Sequence, residues 1–477
     1  MMNRGPTGKP RDVITGGHLL AIARRAAVAA DRLLTVPRLR FYCIVLLLFA
    51  LATYVPVIVH GDPPFDAFGH PVAVDLVAHV TAGKMMLNGD LNQLYDVQSQ
   101  WAAQQVFLGN RYPDIIHFYI SPPFVAVLYV PFAVVPYLDA AILWTILTLG
   151  LLALSLRLLW PIVPNLHRYG FGSILIILLS SWPVIELLVD GQDSAVSLLL
   201  LVAGLRLLLA RRDLAAGGVL GLGVFKPQLF LLIPVLLLFR RQWRALAGWF
   251  ATVVAVTVLS LIMVGPRGSR GYLALITSPS FQQGTEAVGW KMLSLEPLAH
   301  ALFGGLAVAL ATPVTLAIDA VLLAAFARTV LKSPAHPRQT TLLFAMTILV
   351  GSVVSPYFFV YDGVVLLLPS VLLLDEATTN TTVRLSVVVG YVLTWTTLIR
   401  YSAFGHATWP GSLLAAPWTV VPLIALTVVA QRLIRVHDTA GPAQLASVDT
   451  GPLGSNSVGK PGNTTLIADE GVAHDTE

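Results

Sequence analysis

Ten side chains stand out for the chemistry they could carry: Asp75, Glu186, Asp190, Gln192, Asp193, Lys226, Gln228, Lys291, Tyr361 and Asp362. Glu186 and Lys226 are the most telling, because each lies in apolar sequence. Ionisable groups inside membrane spans are costly and are functional candidates by default. The plainer alternative is that Glu186 or Asp362 pairs with Lys226 only to hold helices together. Asp75 stands at the start of a helical pattern. It reads either as a helix N-terminal acid, favoured by the dipole, or as a general base at an outer cavity. Asp190 and Asp193, in the run DGQD, could hold a divalent cation, cap a helix or, with Gln192 between them, hydrogen-bond a sugar.

Other patterns carry less. His60, His70, His79 and His117 fall in one loop, but their spacing fits no dense zinc motif. No metal site and no cofactor is expected. Cys43 is the single cysteine, so an intrachain disulfide framework and a CxxC metal site are excluded. Asp62 and Asp66 flank prolines and read as turn residues. No phosphate-cradling glycine loop and no Ser/His/Asp triad pattern stands out.

The elements that must position these residues are apolar. Of 477 residues, 56% are hydrophobic and 12% charged, against about 25% charged in soluble chains. The composition excludes a soluble enzyme, a disordered protein and a nucleic-acid binder. The net charge of +5 is better explained by arginines and lysines gathered on the cytoplasmic side of a membrane.

The expected fold is an all-α polytopic membrane bundle of about twelve crossings with a long first extracytoplasmic loop. Residues 1–39 read as a basic cytoplasmic segment, with an interfacial helix over about Gly17 to Leu34. The membrane domain covers 40–435, and 436–477 reads as a disordered cytoplasmic tail. The first span is expected over Arg40 to Val59. The loop 60–121 is rich in aspartate, with surface-lying helices over Val72–Leu87 and Val97–Leu108. Ser121–Pro136 is short and proline-bounded, so it reads as re-entrant or surface-lying rather than spanning. Arginines flank Leu214–Phe239 at both ends, which makes this segment a hairpin broken at Lys226-Pro227-Gln228, pointing outward. Remaining spans are expected over Leu138–Leu159, Phe171–Leu188, Asp193–Ala210, Ala245–Val264, Leu306–Leu331, Thr341–Phe359, Gly363–Leu374, Leu385–Ile399 and Leu413–Ile434.

Six stretches in this order carry a family resemblance: Asp75–Asp96, Ser121–Tyr137, Gly191–Leu208, Leu214–Gly248, Trp290–Gly304 and Ser355–Leu367. With them the chain resembles the membrane enzymes of glycosyltransferase family 87. The resemblance implies a GT-C fold and a multi-pass protein of the bacterial inner membrane with its site on the extracytoplasmic face. It implies transfer of a hexose, typically mannose, from a polyprenyl-phosphate sugar donor to an outer-leaflet lipid or glycan acceptor, with inversion. The family's first-loop aspartate maps onto Asp75 as base. Lys226 and Lys291 would offset the donor phosphate as point charges. Glu186, Asp190, Gln192, Gln228, Tyr361 and Asp362 would meet sugar or acceptor. The rival class is a membrane transporter or lipid flippase, which also uses broken helices and intramembrane charges.

Overall fold

The structure is a computed structural model that describes residues 35–111, 116–279, 281–283, 289–334, 336–378 and 380–439. The expected interfacial helix near the N-terminus and most of the expected tail lie outside the described residues. Among the described residues the secondary structure is helical, with two isolated β-bridges.

In chain order the α-helices are α1 (Val36–Val59), α2 (Leu76–Asn88), α3 (Val97–Leu108), α4 (Pro123–Tyr129) and α5 (Tyr137–Leu159). Next come α6 (Phe171–Leu179), α7 (Trp182–Asp190), α8 (Ser194–Leu209), α9 (Asp213–Gly221), α10 (Pro227–Phe230) and α11 (Leu232–Phe239). The remainder are α12 (Trp243–Ile276), α13 (Leu295–Leu302), α14 (Ala311–Lys332), α15 (Pro337–Val354), α16 (Leu367–Glu376), α17 (Thr381–Trp395), α18 (Thr397–Phe404) and α19 (Val420–Thr439).

The protein is an integral membrane protein by the length and composition of these helices. Val36–Val59, Tyr137–Ile162, Trp243–Ile276, Ala307–Lys332 and Pro337–Val354 are each long and apolar enough to cross a bilayer. Two bent pairs bring the number to seven if each is one span: α6 with α7, bent by 58°, and α17 with α18, bent by 50°. The expected count of twelve also included α8, the two hairpin arms and α16, which are shorter, and α19, which is not among these seven. Pro227 and the non-helical Lys226 divide the hairpin, and charged residues, Asp193 before and Arg211 after, bound α8.

Core packing centres on α15, which touches α8, α10, α11, α14, α16 and α19. By contrast, α1 is peripheral and largely exposed. It is tied at its start by Arg40, which donates to Ser173 Oγ at 2.6 Å and to the carbonyl of Tyr169 at 3.2 Å. The closest helix pairing joins α9 to α12. A Cβ on Gly217 would lie 1.8 Å from the Ala245 carbonyl oxygen, and one on Gly248 would lie 2.1 Å from that of Leu214. Small residues that let backbones meet are a recurrent means of helix association in membranes.

The first loop is a packed unit rather than a linker. Helix α3 occupies the expected bounds, with Asp96 accepting from the Ser99 N–H at its start. Helix α2 does not lie on a surface as expected. Residues Leu76 to Gly83 are all buried, because α2 packs against α3, α4 and the turn after α4. A helix apolar on all sides is one that is enclosed. Helix α4, seven residues long, is too short to cross and packs on α2 and α12.

Candidate functional site

Lys226 sits where the hairpin is broken. The 3-10 turn Leu222–Phe225 ends before it, Pro227 begins α10, and Lys226 itself is non-helical at φ −124° and ψ 71°. This frees its side chain to point across the bundle. Its Nζ lies 2.8 Å from Asp193 Oδ1 and 3.0 Å from Asp362 Oδ1. It also donates to Ser194 Oγ at 2.8 Å and approaches Gln192 Oε1 at 3.5 Å. Ser194 Oγ in turn donates to Asp362 Oδ1 at 2.5 Å, and the Tyr361 ring lies 5.2 Å from Nζ. The carboxylates of Asp193 and Asp362 are each 1% exposed, so this cluster is sealed.

Lys291 forms a second cluster of the same composition. Its Nζ lies 2.6 Å from Glu186 Oε1 and 3.0 Å from Asp190 Oδ2. Glu186 and Asp190 are one turn apart on α7, where two like charges on one face need a shared cation. Lys291 reaches them because its short turn is pinned to the segment before Tyr361. Met292 bridges Phe359, and the Leu293 N–H donates to the Phe358 carbonyl at 2.6 Å. Lys291 is 20% exposed. Burial lowers the affinity of its ammonium for the proton, but Asp190 and Glu186 outweigh this and hold its pKa above the usual lysine range.

Asp75 lies beside both clusters. It stands at the N-terminus of α2, where the dipole favours an acid, but its side chain makes no capping bond. Instead Oδ2 accepts from Gln192 Nε2 at 2.7 Å, and Oδ1 lies 3.7 Å from His117 Nδ1. The Asp75 N–H donates to the Asp190 carbonyl at 2.8 Å, so the loop after α7 carries Gln192 directly to it. Gly191 makes that approach possible. Its φ is +71°, and a Cβ there would lie 2.8 Å from the Cβ atoms of Ala73 and Leu76. Partial burial pushes the Asp75 carboxyl up, but the neighbouring His117 imidazole and the hydrogen bond from Gln192 outweigh it and hold the group below its usual pKa. At 35% exposure its side chain is the most open of the five carboxylates gathered here.

The structure therefore brings together Asp75, Glu186, Asp190, Gln192, Lys226, Lys291, Tyr361 and Asp362. Gln228, on α10, joins neither ion-pair cluster. Three participants had no role in transfer assigned from the sequence. Asp193, a candidate in sequence for a cation, a helix cap or a sugar, instead pairs with Lys226 and makes no capping bond. Ser194 carries no signal beyond its place after Asp193. His117 had been weighed only as a zinc ligand. His79, on α2, is enclosed and stacks on Tyr129 with ring centroids 4.6 Å apart. Burial holds its pKa below the usual histidine range. Among the described residues no three His, Cys, Asp or Glu side chains converge as a metal site. Asp66 makes the expected turn, accepting from the N–H groups of Phe68 and His70 at 2.9 Å, whereas Asp62 pairs with Arg111 at 2.5 Å.

No curated protein and no solved structure matches the chain. One family model does, that of glycosyltransferase family 87, over residues 119–356. The matched stretch includes Glu186, Asp190, Gln192, Asp193, Lys226 and Lys291, so both lysines and the loop that contacts Asp75 fall within it. With that match and the membrane bundle described above, the chain belongs to glycosyltransferase family 87.

Proposed function

We propose that this membrane glycosyltransferase moves a hexose, mannose, from a polyprenyl-phosphate donor to a hydroxyl of an outer-leaflet lipid or glycan acceptor, with Asp75 as general base. One observation carries the reading. Five carboxylates gather at the site, four are held by lysines, and Asp75, the most exposed of them, accepts from Gln192 and lies beside His117. A base must be ionised and within reach of the proton it takes.

In the reaction the acceptor O–H gives its proton to Asp75, and its oxygen attacks the anomeric carbon. The bond from that carbon to the phosphate oxygen breaks, and the polyprenyl phosphate leaves with the electron pair. A single displacement inverts the anomeric centre. Lys291, one-fifth exposed, is our candidate for meeting the phosphate. Lys226 is enclosed by two carboxylates, and in this reading it steadies Gln192 and through it Asp75. Glu186, Asp190 and Gln192 adjoin Asp75 and Lys291 and are assigned to sugar and acceptor hydroxyls, whereas Tyr361 and Asp362 support Lys226. The site opens to the extracytoplasmic side of a bacterial inner membrane, where a lipid-borne donor needs no nucleotide pocket.

The test uses purified full-length protein in detergent micelles, polyprenyl-phosphate mannose with a tritiated sugar, and extracted membrane lipids as acceptor. Label is expected to enter the lipid fraction, and Asp75→Asn to lower the rate by about 10²–10⁴-fold. Wild-type turnover by a folded Asp75→Asn protein would remove Asp75 from the role. No transfer with any polyprenyl-phosphate sugar, alongside flux of such a lipid in vesicles, would favour a flippase instead.

A further inference from the structure

Helix α3 holds an extended segment by an unusual means. Gln100 and Gln104, four residues apart, are buried and present their amides to the backbone of residues 117–119. Gln104 Nε2 donates to the His117 carbonyl at 2.6 Å, and its Oε1 accepts from the His117 N–H at 3.2 Å. Gln100 repeats the pattern on Tyr119, with Oε1 accepting at 2.9 Å and Nε2 donating at 3.3 Å. Each side-chain amide thus pairs with a peptide as a neighbouring strand would. Burying two glutamine amides is costly unless they are fully used, and what they fix is the backbone that carries His117.

The imidazole so placed faces Asp75. Its Nδ1 is 3.7 Å from Oδ1, within ion-pair range and one small rotation from a hydrogen bond. Gln192 already occupies Oδ2 at 2.7 Å. The His117 side chain is 17% exposed against 35% for Asp75, so the carboxylate, not the ring, meets a substrate.

We propose that His117 is a positioning residue: with Gln192 on the other oxygen it fixes the plane and the ionised state of the Asp75 carboxylate, and Gln104 fixes His117. This rests on the reading of Asp75 as the base. A carboxylate held at one oxygen can rotate, whereas one held at both presents one remaining lone-pair direction to the acceptor. Small misplacements of a reacting group cost large factors in rate. The other titratable groups that act on Asp75 are Lys291, Asp190, His79, Tyr137 and Tyr361. Of these and His117, Lys291 and His117 favour its ionised form.

The test has a readout that needs no substrate. The Asp75 carboxyl stretch is followed by infrared titration of the full-length protein in micelles, assigned by its loss in Asp75→Asn. In His117→Phe the midpoint is expected to rise. In His117→Asn, whose amide N–H can replace Nδ1–H, it returns toward wild type. Gln104→Leu, which keeps the imidazole and frees its backbone, shifts the midpoint the same way by less and guards against misfolding of the phenylalanine variant. Transfer by His117→Phe falls by about 10²-fold in kcat with KM little changed. A midpoint unmoved in both His117→Phe and Gln104→Leu overturns the proposal. So does an equal shift in the phenylalanine and asparagine variants. Full activity of Asp75→Asn would instead defeat the base reading and leave the titration result standing.

Discussion

Two lysines of this protein each lie between two carboxylates, yet their settings differ. Lys226 is enclosed with Asp193 and Asp362, both nearly inaccessible, and is further held by Ser194 and the Tyr361 ring. Lys291 rests on Glu186 and Asp190, is partly open, and comes from a short turn. Identical charge sets therefore serve different ends. A sealed pair cannot exchange partners without exposing a buried charge, and its net contribution to stability is small beside the cost of breaking it. An open pair can trade a carboxylate for a substrate phosphate. The difference teaches that solvent access, rather than residue type, separates a strut from a working group.

The sharpest way to break this contrast is Lys226→Met. Removing the cation leaves Asp193 and Asp362 buried together, so stability should fall by about 3–5 kcal/mol. Thermal unfolding of the micellar protein reads this. The triple variant Lys226→Met, Asp193→Asn, Asp362→Asn should recover most of the loss, and a triple variant as unstable as the single one would count against the strut reading.

Next in size is Lys291→Met. Transfer should drop by about 10²-fold, as on removal of one charged donor from a reacting group, while the unfolding temperature falls less than in Lys226→Met. Lys291→Arg should keep part of the activity. If Lys291→Met cost more stability than Lys226→Met, the assignment of roles would be reversed.

A smaller effect concerns pH. The folded-state pKa of Asp75 is depressed, so its ionisation contributes stability that is present above the unfolded value of about 3.9 and is lost as the pH falls through the folded one. The margin of wild type over Asp75→Asn in unfolding temperature should be complete at neutral pH and shrink only below about pH 3.9. Lys291 has the opposite sign. Its pKa is raised, so its contribution is full below about pH 10.4 and fades only as the pH climbs above that. A margin for Asp75 that vanished between pH 6 and 5 would contradict the hold of Gln192 and His117 on the carboxylate.

The smallest expected effect is none. Asp190 and Asp193 are already engaged by Lys291 and Lys226, which leaves no dense anionic ligand set for a hard cation. Transfer by protein treated exhaustively with EDTA should equal that of untreated protein. Loss restored by magnesium or manganese would make Asp190 and Asp193 ligands and undo the comparison of the two clusters.

Much of the frame was legible in the sequence. Arginines on both sides of Leu214–Phe239 and proline after Lys226 require a broken hairpin, and the break is there. Asp96 marks the start of α3 by a local capping bond. Features that depend on distant partners were not legible. Lys226 and Asp362 are 136 residues apart, and Lys291 and Asp190 are 101 apart. No local period encodes such pairings. Gln100 and Gln104 carry no signal of their role in sequence, because nothing local shows that a backbone will come to meet them. The burial of α2 was missed for a related reason. Its apolar run suits a membrane surface and an interior equally well, and only α3 and α4 decide between them.

The glycine contact between α9 and α12 bears on how the chain is made. Helix α9 is the first arm of the hairpin and α12 follows the second, so they can seal against each other soon after synthesis, with contacts that are local in the chain. Lys226 is carried in with them. Asp193 has already been made by then, but Asp362 lies 136 residues downstream of Lys226. The lysine therefore enters its apolar surroundings as one half of a neutral pair with Asp193. The second carboxylate arrives later, once α15 has been laid down, and turns that pair into the finished cluster.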